Sequence, residues 1–355
     1  MKIAGNIAAL SPYVPGEQPK DAGAVKLNTN ENAYPPSPKV AAALRAFDAS
    51  ALRRYPDPEF RALRARIAEI HGARPECVFV GNGSDEILSL AMRVFVEDGG
   101  AAASFSPTYS LYRTLAAIRG AKYTEVPLPE DFGWTDPGDA GGADLFLLTN
   151  PNAPTSVLYP RAAVERFCAS FPGTVLIDEA YADFSGATCA DIAAAPGNRN
   201  TIVMRTFSKS FSLAGLRVGY CIGPEDGIEA LYKAKDSYNV DALAQTLALA
   251  ALDDLPWMRA NARRTAAVRD MMAGELRRRG WDVPDSAANF IFARPAHRPA
   301  AEVFAALRER GIYVRHFPGP RTGDRLRITA GTPDEAAALL AALAGTDVPP
   351  GGPSV

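Results

Sequence analysis

The sequence predicts an α/β fold, with a mostly parallel sheet sandwiched by helices and a smaller α+β domain after it. The first observation is an alternation of short apolar runs with helical segments between residues 78 and 222. Such an alternation favours parallel strands covered on both faces. The second observation is a change of pattern after Ser237–Val240, where long helical stretches precede three more short strands. We therefore predict an N-terminal arm at 1–26, a large domain at 27–238, a small domain at 239–346 and a disordered tail at 347–355.

The composition is typical of a globular protein and argues against several kinds of partner. The 355 residues are 47% hydrophobic and 22% charged, with a formal net charge of −2. This balance gives no sign of a nucleic-acid or membrane partner. No apolar run approaches the ~18 residues that a transmembrane helix needs. The segment Met1–Leu10 has too short an apolar stretch for a convincing signal peptide. We expect a cytoplasmic protein.

The four cysteines are widely spaced and form no CxxC pair: Cys77, Cys168, Cys189 and Cys221. Three of them lie within or beside apolar runs, which favours reduced thiols packed as small hydrophobic groups. Because the chain has only three histidines, we expect no metal site.

Each predicted strand of the large domain is a short apolar run between turn residues. The expected strands are 78–81, 101–106, 122–127, 144–149, 174–178, 201–205 and 217–222, and the expected helices are 37–47, 58–71, 84–96, 108–119 and 161–171. Ser37 is expected to cap its helix, with Pro38 in the first turn. In the small domain we expect helices at 241–252, 257–279, 299–310 and 333–344, and strands at 289–293, 312–315 and 325–329.

The most informative stretch is Thr206–Gly219, which lies between two predicted strands. It contains Lys209, crowded by hydroxyls and small residues, and Arg217 eight residues later. A lysine that loses part of its hydration can give up a proton, as a Schiff-base lysine must. A bare Ser-Lys-Ser would indicate only a surface turn. Here, however, Asp178 ends an earlier predicted strand and Tyr181 follows it. These groups suit a pyridoxal phosphate site, where a carboxylate keeps the pyridine nitrogen protonated.

A second motif predicts a phosphate site. Gly81-Asn-Gly-Ser-Asp-Glu86 follows a predicted strand and opens a helix. A glycine turn at a helix start directs unpaired backbone N–H groups and the positive end of the helix dipole at one point. A lone Gly-x-Gly would be weak evidence, but its position before an apolar helix makes it specific.

The order and spacing of these motifs resemble those of the fold-type I aminotransferases, which are pyridoxal phosphate-dependent transferases. Three further segments resemble the histidinol-phosphate branch of that family: Ser11–Gly16, Leu27–Asn32 and Arg54–Pro56. The resemblance covers roughly residues 11 to 340. It implies a homodimer with shared active sites.

The resemblance also implies a role for each matching residue. Lys209 would bind the cofactor as a Schiff base and shuttle the proton between the substrate Cα and the cofactor C4′. Asp178 would pair with the pyridinium nitrogen, and Tyr181 would hydrogen-bond the phenolic oxygen O3′. Tyr109 would stack on the ring, although alone it would suggest a core tyrosine. The cofactor phosphate would contact Ser84, Asp85, Thr206, Ser208 and Arg217, together with Tyr55 of the neighbouring subunit.

The substrate would be held by Arg327, Arg315, Tyr13 and Asn32 according to the same resemblance. Arg327 matches the arginine that clamps a carboxylate, whereas without the family a structural salt bridge would explain it. Arg315 and Tyr13 match a clamp for a phosphate on the substrate. Arg321 and Arg325 lie close enough in sequence to share that phosphate.

One residue departs from the family pattern. The family's Asn-Pro-Asn-Asn-Pro-Thr-Gly is here Asn150-Pro-Asn-Ala-Pro-Thr-Ser156. The asparagine that normally shares O3′ with the tyrosine is replaced by Ala153, so the phenolate keeps one partner fewer. We expect the loss to raise the pKa of the Schiff base, unless Asn152 or a water compensates. Ser156 in place of glycine predicts a differently shaped turn.

The leading hypothesis is a ping-pong aminotransferase that moves an amino group between glutamate and imidazole acetol phosphate through Lys209. Two alternatives keep the cofactor: an aromatic amino-acid aminotransferase, and an enzyme similar to threonine-phosphate decarboxylases. A fourth hypothesis is a non-catalytic regulator of the fused aminotransferase-like type. The lack of a DNA-binding module before residue 27 argues against it.

Overall fold

A computed structural model describes residues 1–11, 16–21 and 23–346. The predicted tail at 347–355 and the predicted substrate residue Tyr13 lie outside the described residues. The strands are β1 Val25–Lys26, β2 Val78–Gly81, β3 Ala101–Ser106, β4 Lys122–Pro127, β5 Leu145–Thr149, β6 Thr174–Asp178, β7 Thr201–Thr206, β8 Gly219–Ile222, β9 Phe290–Ala293, β10 Ile312–Tyr313, β11 Arg315–His316 and β12 Leu326–Thr329. The α-helices are α1 Gly5–Ala8, α2 Pro38–Ala46, α3 Arg61–His71, α4 Gly83–Phe95, α5 Leu111–Arg119, α6 Arg161–Ser170, α7 Ala190–Ala194, α8 Glu225–Ala234, α9 Ala242–Leu252, α10 Leu255–Arg278, α11 Ala300–Glu309 and α12 Pro333–Ala344.

The central sheet has seven strands in the order β2-β8-β7-β6-β5-β3-β4. Strand β8 is antiparallel to both its neighbours, whereas the other adjacent pairs are parallel. The predicted mostly parallel sheet is therefore confirmed. Because β5, β6 and β7 run the same way, Thr149, Asp178 and Thr206 meet at one edge. Ligands of open α/β sheets bind at this carboxyl edge.

Several helices start where the sequence provides a cap. The Ser37 side chain accepts a hydrogen bond from the N–H of Lys39, and Asp241 accepts one from Ala244. Thr332 and Glu335 form a capping box at the start of α12. Helix α5 begins at Leu111 rather than at the predicted Thr108, because residues 107–110 line a cavity instead.

The C-terminal part contains a three-stranded antiparallel sheet in the order β11-β12-β9. The predicted strand at 312–315 is instead two short strands, since β10 pairs with β1 while β11 pairs with β12. The predicted arm contains helix α1, and its last residues, Val25–Lys26, pair with Ile312–Tyr313. Leu27 packs with residues of 268–343 in a separate apolar core. The domain boundary near residue 238 stays a prediction.

Within the described ranges, no helix has the length and apolar character needed to cross a membrane. The same part of the chain contains no group of three His, Cys, Asp or Glu side chains that could hold a metal ion.

Candidate active site

A cavity of about 440 Å³ opens at the carboxyl edge of the central sheet. It is bounded by the large sheet on one side and by strands β11 and β12 with their connecting loop on the other. Eleven of the predicted site residues line it: Ser84, Asp85, Tyr109, Asp178, Tyr181, Thr206, Ser208, Lys209, Arg217, Arg315 and Arg327. The structure thus brings together side chains that are up to 243 positions apart, from Ser84 to Arg327.

Lys209 is held against the segment that connects β1 with α2. Its Nζ donates to the carbonyl oxygen of Thr29 at 3.2 Å and lies 5.8 Å from the centre of the Tyr181 ring. Removal from water, together with the positive charge of Arg327, lowers the pKa of the Lys209 ammonium to about 8, while the charge of Glu31 opposes the shift. A neutral amine is the form that attacks a carbonyl group. The direction of this shift agrees with the expectation for a Schiff-base lysine.

Asp178 is buried at the end of β6, and its carboxylate has a partner that the sequence did not reveal. The hydroxyl of Tyr112 donates to Asp178 Oδ2 at 2.8 Å, and the N–H of Ala180 donates to Oδ1 at 3.0 Å. Burial raises the pKa of Asp178 to about 6, although the bond from Tyr112 works in the opposite direction. A nearby positive charge would favour the ionised form. The site therefore suits a protonated ring nitrogen.

The start of helix α4 and the side chains around it, here called the phosphate cradle, fit the phosphate of pyridoxal phosphate. Gly83 opens α4 with φ +76°, and a Cβ there would lie 2.8 Å from Arg217 Nη2. The positive φ favours glycine, and a side chain at this position would also displace the guanidinium of Arg217. Arg217 also donates to Ser208 Oγ at 3.3 Å and to Asp85 Oδ2 at 3.2 Å. Free N–H groups of a helix start, a guanidinium and hydroxyls are a donor set that suits a dianion.

Ala153 lines the cavity as expected, and Asn152 cannot replace the missing amide in the arrangement seen here. The Asn152 oxygen accepts from the hydroxyl of Thr108 at 2.8 Å. Its nitrogen donates to the carbonyl of Pro107 at 3.0 Å and to Thr155 Oγ1 at 2.9 Å. Both amide hydrogens of this side chain are therefore already donated, so none is left for the phenolic oxygen. Ser156 has φ +66°, a left-handed conformation that is uncommon for a residue other than glycine. The differently shaped turn expected from Ser156 stays a prediction.

Arg315 and Arg327 face each other across the antiparallel pair β11 and β12. Arg327 Nη2 donates to the carbonyl of Asn28 at 2.8 Å, and its guanidinium lies 5.1 Å from the Phe317 ring centre. The other two arginines suggested for a substrate phosphate are engaged elsewhere. Arg321 donates to the carbonyls of Leu128 and Pro129, and Arg325 donates to Asp282.

Two described residues from the prediction do not line this cavity. Tyr55 is 79% exposed and stacks on Tyr238, with ring centres 4.2 Å apart. The amide of Asn32 donates to the backbone carbonyls of Lys209 and Ser210 at 3.2 and 3.1 Å, so it anchors the lysine segment. Its predicted contact with substrate remains untested.

Sequence reasoning also missed Asn30, whose amide donates to the Tyr181 hydroxyl at 3.0 Å. The Leu27–Asn32 segment was recognised, but no local pattern indicates which of its three asparagines reaches Tyr181. Tyr112 was missed for a related reason. Its position three residues after Tyr109 places it one helical turn further on, yet nothing local specifies Asp178 as its partner.

Comparisons with known proteins agree with this geometry. The family model for aminotransferase class I and II matches residues 22–343. The chain is 46% identical to histidinol-phosphate aminotransferase 2 of Rhizobium meliloti, over 95% of this chain and 97% of the relative. It is 42% identical to the histidinol-phosphate aminotransferase of Geotalea uraniireducens, with the same coverage. A crystal structure of the Sinorhizobium meliloti enzyme in complex with pyridoxal 5′-phosphate superposes with a TM-score of 0.88 at 26% identity, covering 96% of each chain.

Proposed function

The chain belongs to the class I and II aminotransferases, and from this premise we propose that it transfers an amino group between glutamate and imidazole acetol phosphate, giving histidinol phosphate in histidine biosynthesis. The enzyme depends on pyridoxal 5′-phosphate, in agreement with its family and with the donor set of its cavity. Relatives at 42% and 46% identity carry the histidinol-phosphate name over nearly their full length. Within the cavity, the observation that favours this substrate is a second cationic region, Arg315 and Arg327, separate from the cofactor's phosphate cradle.

The bound cofactor supplies an electron sink for the pair of electrons left when the substrate Cα–H bond breaks. Lys209 Nζ would take the proton from the substrate Cα and deliver it to the cofactor C4′. Its lowered pKa, about 8, leaves an appreciable neutral fraction near neutral pH. Asp178 would keep the ring nitrogen protonated, and Tyr112 stabilises the Asp178 carboxylate by a hydrogen bond. Tyr181 would donate to the phenolic oxygen, and Tyr109 would cover the ring.

The two arginines would divide the recognition of the two substrates. Glutamate carries a carboxylate on its reacting carbon, and Arg327 can hold it with two parallel hydrogen bonds. Histidinol phosphate carries a phosphate instead, for which Arg315 is the proposed clamp together with Tyr13. Both guanidiniums lie near aromatic rings, since Arg315 is 5.4 Å from the centre of the Phe317 ring. Packing against a ring limits the freedom of a long side chain before substrate arrives.

The assembly is proposed to be a homodimer with shared active sites. Tyr55 is exposed and absent from the lining of its own chain's cavity. Leu44 and Leu52, which lie close to Tyr55 in the sequence, are also exposed, at 52% and 57%. Contact with a second copy would cover these side chains and bring Tyr55 to the partner's cofactor phosphate. We also propose a cytoplasmic location, consistent with four free cysteines.

The decisive experiment measures both half-reactions in purified protein. Arg315→Leu should reduce kcat/KM for histidinol phosphate by about 1.5–3 kcal/mol, the scale of a hydrogen bond to a charged group. It should change the glutamate half-reaction little, whereas Arg327→Leu should damage that half-reaction severely. Arg321→Leu is the matched control, because its guanidinium bonds only to loop carbonyls among the described contacts.

Other outcomes would point to other functions. Equal damage to both half-reactions by Arg315→Leu would contradict the phosphate clamp and favour an aromatic amino acid as substrate. Release of carbon dioxide from threonine phosphate, without transamination of histidinol phosphate, would favour a decarboxylase. A protein that binds no pyridoxal phosphate at Lys209 would overturn the whole proposal.

A further inference from the structure

Asn30 lies directly behind Tyr181 and has every polar atom engaged. Its side-chain nitrogen donates to the Tyr181 hydroxyl oxygen at 3.0 Å. Its side-chain oxygen accepts from the hydroxyl of Thr329 at 3.1 Å, and its backbone N–H donates to that same hydroxyl at 3.0 Å. Its backbone carbonyl accepts from Asn289 at 3.0 Å. Only 1% of the residue is exposed.

These contacts orient the amide toward Tyr181. The Thr329 hydroxyl accepts from the Asn30 N–H and donates its own hydrogen to the Asn30 side-chain oxygen. The NH₂ end of the amide faces the tyrosine in this arrangement. Asn30 also has φ +54°, a left-handed conformation that asparagine tolerates better than most residues. A buried asparagine in this conformation, with four hydrogen bonds to three residues, is a rigid support.

The direction of the bond decides what Tyr181 can do. A tyrosine hydroxyl has one hydrogen to donate and lone pairs to accept with. Since Asn30 is the donor, the Tyr181 hydroxyl takes part in this contact with a lone pair and not with its hydrogen. The Tyr181 ring is held as well, edge-on to Phe290 at a centre distance of 5.0 Å.

We infer that Asn30 is a positioning residue that holds Tyr181 as a donor toward the phenolic oxygen of the cofactor, and that this chain relies on it because Ala153 provides no second donor. The inference rests on the proposed function, in which Tyr181 faces that oxygen. Asn30 is itself held by Thr329, which lies on β12, the strand that carries Arg327. The same strand therefore supports Tyr181 through Asn30 and carries the arginine proposed to bind the substrate carboxylate.

The test is the pH at which the visible absorbance of the bound cofactor changes. A hydrogen bond to the phenolate stabilises the charged form, so its loss moves this midpoint to higher pH. We expect Asn30→Ala to raise the midpoint by about one pH unit, a tenfold change in proton affinity. Tyr181→Phe should raise it at least as far, and adding Asn30→Ala to Tyr181→Phe should produce no further rise.

Two further variants keep the test interpretable. Asn28→Ala is the matched control, because Asn28 is equally buried but its amide donates to the Glu17 carbonyl; its midpoint should stay at the wild-type value. Thr329→Val is nearly isosteric and avoids alanine in a left-handed conformation; it should raise the midpoint by a smaller amount. In an Ala153→Asn background, which restores the second donor, the effect of Asn30→Ala should shrink.

The inference would be overturned if folded Asn30→Ala and folded Thr329→Val both kept the wild-type midpoint. It would also be overturned if the double variant Asn30→Ala/Tyr181→Phe showed the sum of the two single shifts. Borohydride trapping separates this failure from a failure of the proposed function. Cofactor fixed on Lys209 with an unshifted midpoint rejects the role of Asn30 alone. Absence of trapped cofactor on Lys209 rejects the proposed function itself.

Discussion

At the residue scale, the amine of Lys209 shows how a few neighbours set the reactivity of a side chain. The group lies between the carbonyl of Thr29 and the face of Tyr181, while the cation of Arg327 and the anion of Glu31 act on it in opposite directions. Desolvation is the largest influence and favours the neutral amine. The protein thereby prepares a nucleophile by removing water rather than by adding a base.

This gives a prediction for the cofactor-free protein. The rate at which Lys209 forms its covalent bond with pyridoxal phosphate should rise with pH and level off above about 8, because the neutral amine is the reactive form. An ordinary lysine would keep rising to about 10.5. Stopped-flow absorbance measures the rate. Glu31→Gln should move the midpoint downward, since the Glu31 charge raises the pKa of Lys209. A midpoint near 10.5 in the wild type would contradict the assigned environment.

At the element scale, local patterns explain why most strands and helices could be predicted. Apolar runs with β-branched residues located the seven strands of the central sheet to within about two residues, the usual boundary uncertainty. Capping residues located helix starts such as that of α2 after Ser37. The pairing of Val25–Lys26 with β10 escaped prediction because two residues carry no periodicity. It depends on a contact between segments almost 290 residues apart, which only the fold creates.

The candidate site divides in the same way. Lys209, Asp178 and the Gly83 turn follow strand ends or open a helix, so local sequence indicates them. Tyr112 and Asn30 act through partners on distant elements. Periodicity could have shown that Tyr112 faces the sheet, but not that Asp178 is opposite. Ala153 was detected only as a departure from a family pattern.

Helix α5 places Tyr112 beneath Asp178, and a prediction follows. Tyr112→Phe removes one hydrogen bond from a buried carboxylate, so the pKa of Asp178, already raised to about 6, should rise further. As the pH is lowered, activity that needs ionised Asp178 should then begin to fall at a higher pH than in the wild type. The acidic limb of the kcat/KM profile should therefore move up by about one pH unit. Tyr123→Phe is the control, since Tyr123 bonds to Ser104 instead. An unmoved acidic limb in Tyr112→Phe would show that the bond is only structural.

At the scale of the whole molecule, the cavity is built from the two larger sheets of the fold. Asp178 and Lys209 come from the central sheet, whereas Arg315 and Arg327 come from the antiparallel sheet that packs with Leu27. The segment after Leu27 contacts both groups, through Thr29 to Lys209 and through Asn28 to Arg327. Its position explains why a short, mostly irregular segment contributes to so many of the site's contacts.

The proposed dimer can be tested by mixing inactive or impaired chains. Hybrids of Tyr55→Phe with Lys209→Ala subunits should contain one site that is wild type at both positions, because Lys209 and Tyr55 would come from different chains. Activity should therefore recover after the two variants are mixed and refolded, in proportion to the fraction of hybrid dimers that forms. Lys209→Ala mixed with the double variant Tyr55→Phe/Lys209→Ala is the control without recovery. An active monomer in sedimentation would refute shared sites.

The burial of the cysteines has a consequence for handling the protein. Cys168, Cys189 and Cys221 are at most 3% exposed, whereas Cys77 is partly accessible. Burial raises the pKa of Cys168 to about 11 and that of Cys189 to about 12, and it raises that of Cys221 as well. Alkylating reagents attack thiolates, so the native chain should be modified at Cys77 while the other three sulfur atoms stay protected. The number of labelled sulfur atoms per chain therefore measures the fraction of unfolded molecules, with no dye or engineered tag.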